Sequence, residues 1–93
     1  MKLAEVFSKA ATALEGSEFS QGFADARPGT MCAGQAIEAV AGNWDPNVTE
    51  AYTFFHGLYG DTITAINDRP DTTKEQMVML LSAAAKVALE EGK

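Results

Sequence analysis

Leu3, Val6, Phe7, Ala10, Ala13 and Leu14 recur at helical spacing, with Glu5, Ser8, Lys9, Thr12 and Glu15 opposite them. The chain therefore predicts an amphipathic helix from its first residues. Gly16 is placed to stop it, because glycine accepts the left-handed turn that often follows a helix. Residues 17–30 lose the period. Phe19 and Phe23 are too apolar for a loose linker, whereas Gly22, Pro28 and Gly29 disrupt a helix. This composition predicts a structured loop or a short hairpin at 17–30 that fastens both phenylalanines to the core.

The helical period returns near Thr30 and runs to Gly42-Asn43, with Ala33, Ala36, Ile37, Val40 and Ala41 facing inward. Such small side chains let a neighbouring helix approach closely. Asp45-Pro46-Asn47 reads as the next helix entry: Asp45 can cap with Pro46 in the first helical position, or Asn47 can cap with Glu50 as its partner. The third helix, over 47–59, carries Val48, Tyr52, Phe55 and Tyr59 on one stripe and Ala51, Phe54 and Leu58 on the next. At 100° per residue the apolar arc is roughly 160° wide. Thr62 to Ile66 has room for one further turn between Gly60-Asp61 and Asn67-Asp68-Arg69-Pro70.

The last helix has the clearest start signal, because Thr72 followed by Glu75 fits a reciprocal capping box. Its main stripe is Met77, Leu80, Leu81, Ala84, Val87 and Ala88. A second stripe, Val78, Ala85 and Leu89, widens the apolar arc to about 200°, and Met79 lies beyond it beside Lys86 and Glu90. One packing partner rarely needs so wide an arc. Val78, Met79, Ala85 and Leu89 are therefore the candidate protein-contact residues. The expected fold is all-α, a small bundle of four to five helices forming one helical domain over 1–93, with a short hairpin or structured loop at 17–30.

Composition narrows the function more than it defines it. The 93 residues are 46% hydrophobic and 22% charged, the ordinary range of a folded domain. Thirteen acidic residues against seven basic ones give a net charge of −6, shared evenly between the halves. No Lys or Arg stands between Arg27 and Arg69, so the clustered cations that phosphate binding requires are missing and no nucleic-acid partner is expected. Cys32 is the only cysteine, which excludes an internal disulfide and fits a cytoplasmic setting. Glu5 and Lys9 break the apolar run of a signal peptide. Met77 to Ala85 falls far short of the roughly 20 apolar residues that span a bilayer, so no membrane partner is expected.

Candidate chemistry is sparse. Cys32 and His56 are the only nucleophile and base of their kinds that could form a thiol–imidazole dyad. A cysteine in the first turn of a helix gains thiolate stabilisation from the N-terminal dipole. A single cysteine among alanines is more often a small core filler, and His56 falls on the polar flank of its helix. One Cys and one His cannot make a structural zinc site. Asp45 to His56 fails as a calcium loop, with Glu50 where glycine is needed and His56 where the closing glutamate belongs. No glycine-rich phosphate loop exists, so no metal and no cofactor are expected. Asn67 and Asp68 form a candidate polar turn motif, tying the turn before Pro70 to the last helix or serving as a recognition pair.

Three segments also carry a resemblance. Phe19-Ser20-Gln21-Gly22, Cys32-Ala33-Gly34-Gln35-Ala36-Ile37 and Asn67-Asp68-Arg69-Pro70-Asp71-Thr72-Thr73 occur in this order, followed by an apolar helix. The arrangement resembles an uncharacterised family of small actinobacterial and actinophage proteins, whose pattern runs Trp-x-Gln-Gly, Cys-Ala-x-Gly-Ala-Leu, then Trp-Asn-Asp-x-Pro-Gly-Arg-Thr. Phe19 and Ile66 stand where that pattern has tryptophan, Gln35 where it has glycine, and Asp71-Thr72 where it has Gly-Arg. The resemblance implies a helical fold and no particular activity. The function expected from these readings is a small acidic helical protein-interaction module without catalytic activity. It would bind another protein or itself as a homo-oligomer, in one form as a phage-encoded modulator or inhibitor of a host protein. The alternative is a small cysteine-dependent or ligand-binding enzyme using Cys32 and His56.

Overall fold

The first helix buries the face its period predicts. In a computed structural model describing residues 1–22, 27–42 and 45–93, helix α1 spans Leu3–Glu15 and buries Leu3, Val6, Phe7, Ala10, Ala11 and Leu14. Ala11 takes the core place expected of Ala13, which is only half-buried. Gly16 does end the helix, but at φ −82°, so its left-handed freedom is not used. The carbonyls of Glu15 and Ser17 instead accept from Lys74 Nζ at 3.2 and 3.0 Å, a cation placed where the negative end of α1 favours one.

Residues 17–30 differ from the hairpin expectation in strand direction. Strands β1 (Glu18–Phe19) and β2 (Thr30–Met31) pair in parallel, Glu18 with Thr30 and Phe19 with Met31. A hairpin needs a tight antiparallel return, whereas these two strands run in the same direction. A turn at Arg27-Pro28-Gly29-Thr30 re-aims it. Thr30 N–H donates to Arg27 O at 3.0 Å, and Gly29 sits at φ +87°, where a proline-glycine turn requires a positive φ. Phe19 packs against the core, while Phe23 lies outside the described residues.

Helix α2 (Ala33–Ala41) begins later than Thr30 because Thr30 and Met31 are committed to β2. Its cap is Cys32, one place before the first turn. The thiol accepts from Gln35 N–H at 3.4 Å, and Gln35 Oε1 accepts from Cys32 N–H at 3.0 Å. Helix α3 (Pro46–Tyr59) starts on the Asp45 cap with Pro46 in the first turn, and Gly60 closes it at φ +78°. Val48, Ala51 and Phe55 are its buried residues. Helix α4 (Ile63–Asn67) supplies the extra turn, capped by Thr62.

Helix α5 (Lys74–Glu90) also starts one residue later than expected. Thr73 and Gln76 form the capping box, not Thr72 and Glu75. Thr72 is unavailable because its hydroxyl donates to Ile66 O at 2.8 Å. The repeated threonine permits both registers, and the contact with α4 selects one. Met77, Leu81, Ala84 and Ala88 are buried, chiefly in the interface with α1, the most extensive in the fold. Tyr59 ties α3 to this pair by donating to Leu80 O at 2.7 Å. The protein is thus mostly helical, five helices and one two-residue strand pair among the described residues.

Candidate functional site

The three chain segments singled out above converge on Asn67, the last residue of α4, which is 1% exposed. Its Oδ1 accepts from Ala33 N–H at 2.9 Å, meeting one of the N–H groups that the start of α2 cannot satisfy internally. Its Nδ2 donates to Ser20 O at 3.1 Å and to Asp68 Oδ1 at 3.0 Å. Beside it, Gln21 Nε2 lies within hydrogen-bond distance of the carbonyls of Asn67, Arg69 and Thr72, at 3.0, 2.7 and 3.1 Å. The Arg69 carbonyl also accepts from Thr72 N–H at 3.0 Å, within the turn by which the chain leaves α4. An amide side chain suits the Asn67 position because it offers both an acceptor and two donors.

Next to this knot opens a cavity of about 300 Å³ between α2, α3, α4 and residues 20–22. Cys32, Glu38, Tyr52, Thr64, Asn67 and Asp68 contribute side chains, and Gly22 and Gly34 contribute open space. A Cβ at Gly34 would stand 3.1 Å from the Tyr52 hydroxyl oxygen, so glycine is what lets the phenol lie against α2. Tyr52 is within reach of Glu38 Oε1 at 3.1 Å and Gly34 O at 3.4 Å. Burial, with the Glu38 carboxylate second, pushes its pKa up to about 12. The phenol therefore stays protonated at physiological pH and serves as a fixed donor.

The sequence-derived candidates separate in space. Asn67 and Asp68 both line the cavity, as does Cys32. His56 does not. It is exposed on α3, in the neighbourhood of the Asp61 carboxyl. That carboxyl is held below its usual range by Thr62 N–H and Arg69, with His56 a lesser cause. No hydrogen bond joins Cys32 to His56 among the described residues; the thiol is occupied as the α2 cap. No group of three or more His, Cys, Asp or Glu side chains among the described residues is placed to hold a metal ion. On α5, Val78 and Ala85 are half-buried against the core, while Met79 and Leu89 are 61% and 69% exposed. Met79 also borders a second, shallower hollow of about 260 Å³ shared with Ile66, Arg69 and Gln76.

A family model matches residues 1–87. The chain belongs to DUF6197, a family of unknown function. No curated protein and no solved structure matches it. The matched span of this DUF6197 chain takes in the Asn67 knot and every residue lining the cavity. Sequence reasoning missed Tyr52, Glu38 and Gln21 as site residues. Tyr52 read as part of a core stripe, and Glu38 carried no signal of its own. Gln21 carried one signal, its place in the Gln-Gly step of the resemblance. No helix among the described residues is long and apolar enough to cross a membrane.

Proposed function

We propose that this is a recognition protein rather than an enzyme, a small acidic helical module of the cytoplasm that binds a target through the cavity between α2, α3 and α4. The observation that carries this reading is the convergence of three distant segments on a cavity whose polar groups, Glu38, Tyr52, Asn67 and Asp68, are already hydrogen-bonded in place. Preformed concave sites with a few fixed polar groups are where small ligands and protruding side chains bind. The cavity holds no paired nucleophile and base: the thiol is a helix cap and the only imidazole lies elsewhere. In its most specific form the module is phage-encoded and modulates a host protein, a reading supported only by the resemblance of its motifs.

The cavity reading is tested by filling the space. Thr64 lines the cavity and is exposed on α4, so Thr64→Trp should fold with stability within about 0.5 kcal/mol of the parent. Ligand-observed NMR screening of small polar molecules is expected to give binders for the parent that Thr64→Trp loses. Binders retained by the variant would remove the cavity as the site.

A second reading, a protein contact through α5, is favoured by the exposure of Met79 and Leu89 and by the hollow beside Met79. Val78 and Ala85 contribute only their uncovered edges to such a face. Met79→Glu combined with Leu89→Glu should leave the core untouched and stay folded. Sedimentation velocity is expected to show a parent that self-associates and a variant that does not. A parent and variant that are both monomeric over a hundredfold concentration range would exclude self-association by this face.

A further inference from the structure

The walls of the cavity state what charge it accepts. Among the described residues two carboxylates, Glu38 and Asp68, line it, and no Lys, Arg or His does. Each is oriented by a neutral donor on one oxygen, Tyr52 on Glu38 Oε1 and the Asn67 amide on Asp68 Oδ1. The second oxygen of each accepts no hydrogen bond among the described residues. Gly22, held at φ +74°, lies beside Asp68, where a Cβ would stand 3.7 Å from Asp68 Oδ2, an ordinary van der Waals contact. A helix N-terminus draws anions through its free N–H groups, but at α2 the N–H of Ala33 is taken by Asn67 and that of Gln35 by the Cys32 thiol, which leaves fewer of them for an anion.

We propose that the cavity binds a compact organic cation, a primary ammonium or a guanidinium, between the carboxylates of Glu38 and Asp68. A volume of about 300 Å³ is at the small end of ligand sites and suits an alkyl chain of a few carbons bearing one such head. Two sources offer this chemistry, a free small amine and the lysine or arginine side chain of a bound protein. The assignment rests on the cavity being the recognition site, and the two can fail separately.

The test uses the ¹⁵N-labelled protein titrated with n-butylguanidinium, n-butylammonium, neutral 1-pentanol and butyrate, followed through the amide resonances of Cys32, Gly34, Glu38, Tyr52 and Asp68. The expected result is saturable shifts with the two cations and none with pentanol or butyrate. Glu38→Gln retains an oxygen to accept from Tyr52, and Asp68→Asn retains one for Asn67, so both should remain folded. Each should weaken cation binding about ten- to a hundredfold, the range for losing a charge-assisted hydrogen bond. Glu90→Gln, which removes the same charge on exposed α5, should leave binding unchanged. Equal shifts with pentanol or butyrate would overturn the cation assignment while keeping the cavity as a site. Absence of shifts with all four probes at tens of millimolar would overturn both. Among outcomes that support the cation, N-acetyl-arginine N-methylamide separates the sources. Binding as tight as butylguanidinium points to a protein side chain, and exclusion of the blocked residue points to a free amine.

Discussion

Asn67→Ala is expected to lower folding stability by about 2–5 kcal/mol. The side chain is 1% exposed, and its removal strands two groups, the Ala33 N–H and the Ser20 carbonyl. Each buried backbone group left without a partner costs about 1–3 kcal/mol. The total stability of a chain of this length is roughly 5–14 kcal/mol, so a large share of it depends on one amide. Asn67→Asp is the sharper variant, because it keeps an acceptor for Ala33 N–H and loses only the donor. A carboxylate there would set negative charge against the Ser20 carbonyl and the Asp68 carboxylate, and it should destabilise by a comparable amount. Chemical denaturation of the three proteins decides the matter. Midpoints that coincide with the parent would mean that water replaces the amide and that the segments are held by other contacts.

Phe55→Ala should cost about 3–5 kcal/mol, the usual loss for removing a buried phenylalanine ring. Phe55 is fully buried on α3, and its ring centre lies 4.6 Å from that of Tyr59. The effect should reach the cavity as well. α3 makes fewer contacts with the remaining helices than α1 does, and Tyr52 lies one turn before Phe55. With this anchor gone, the phenol should no longer be held in its desolvated place beside Glu38. Ultraviolet titration of the folded variant is then expected to move Tyr52 down from about 12 towards the ordinary tyrosine value of about 10. A stable variant whose Tyr52 still titrates as in the parent would show that α3 is positioned independently of Phe55.

The local parts of this fold were legible because they are periodic. The α1 stripe apart from Ala13 and the Met77-Leu81-Ala84-Ala88 face of α5 repeat every three or four residues and are buried where that repeat puts them, and α3 is capped at its Asp45-Pro46 entry. Helix geometry alone turns such spacing into a face. Boundaries were less legible. Thr72 and Thr73 are both competent caps, and the Ile66 carbonyl decides between them. Likewise β2 takes Thr30 and Met31 out of the helix that their neighbours begin, because Glu18 and Phe19 offer them a strand partner. Asn67 and Asp68 stood out as turn-forming residues, yet nothing local told which backbone groups they would meet. That information resides in hydrogen bonds spanning 34 and 47 positions of the chain. The cavity depends on tertiary structure still more. Tyr52 sits on a stripe that reads as core, and Glu38 lies outside the inward face of its helix. Only the close approach of α3 to Gly34 brings phenol and carboxylate together. The sequence by itself determined the helices, their buried faces and the charge of the surface, since these depend on neighbours a few residues apart. The tertiary structure alone decided the direction of the strand pair, the separation of Cys32 from His56 and the placing of two carboxylates around one cavity, since these depend on which distant segments pack together.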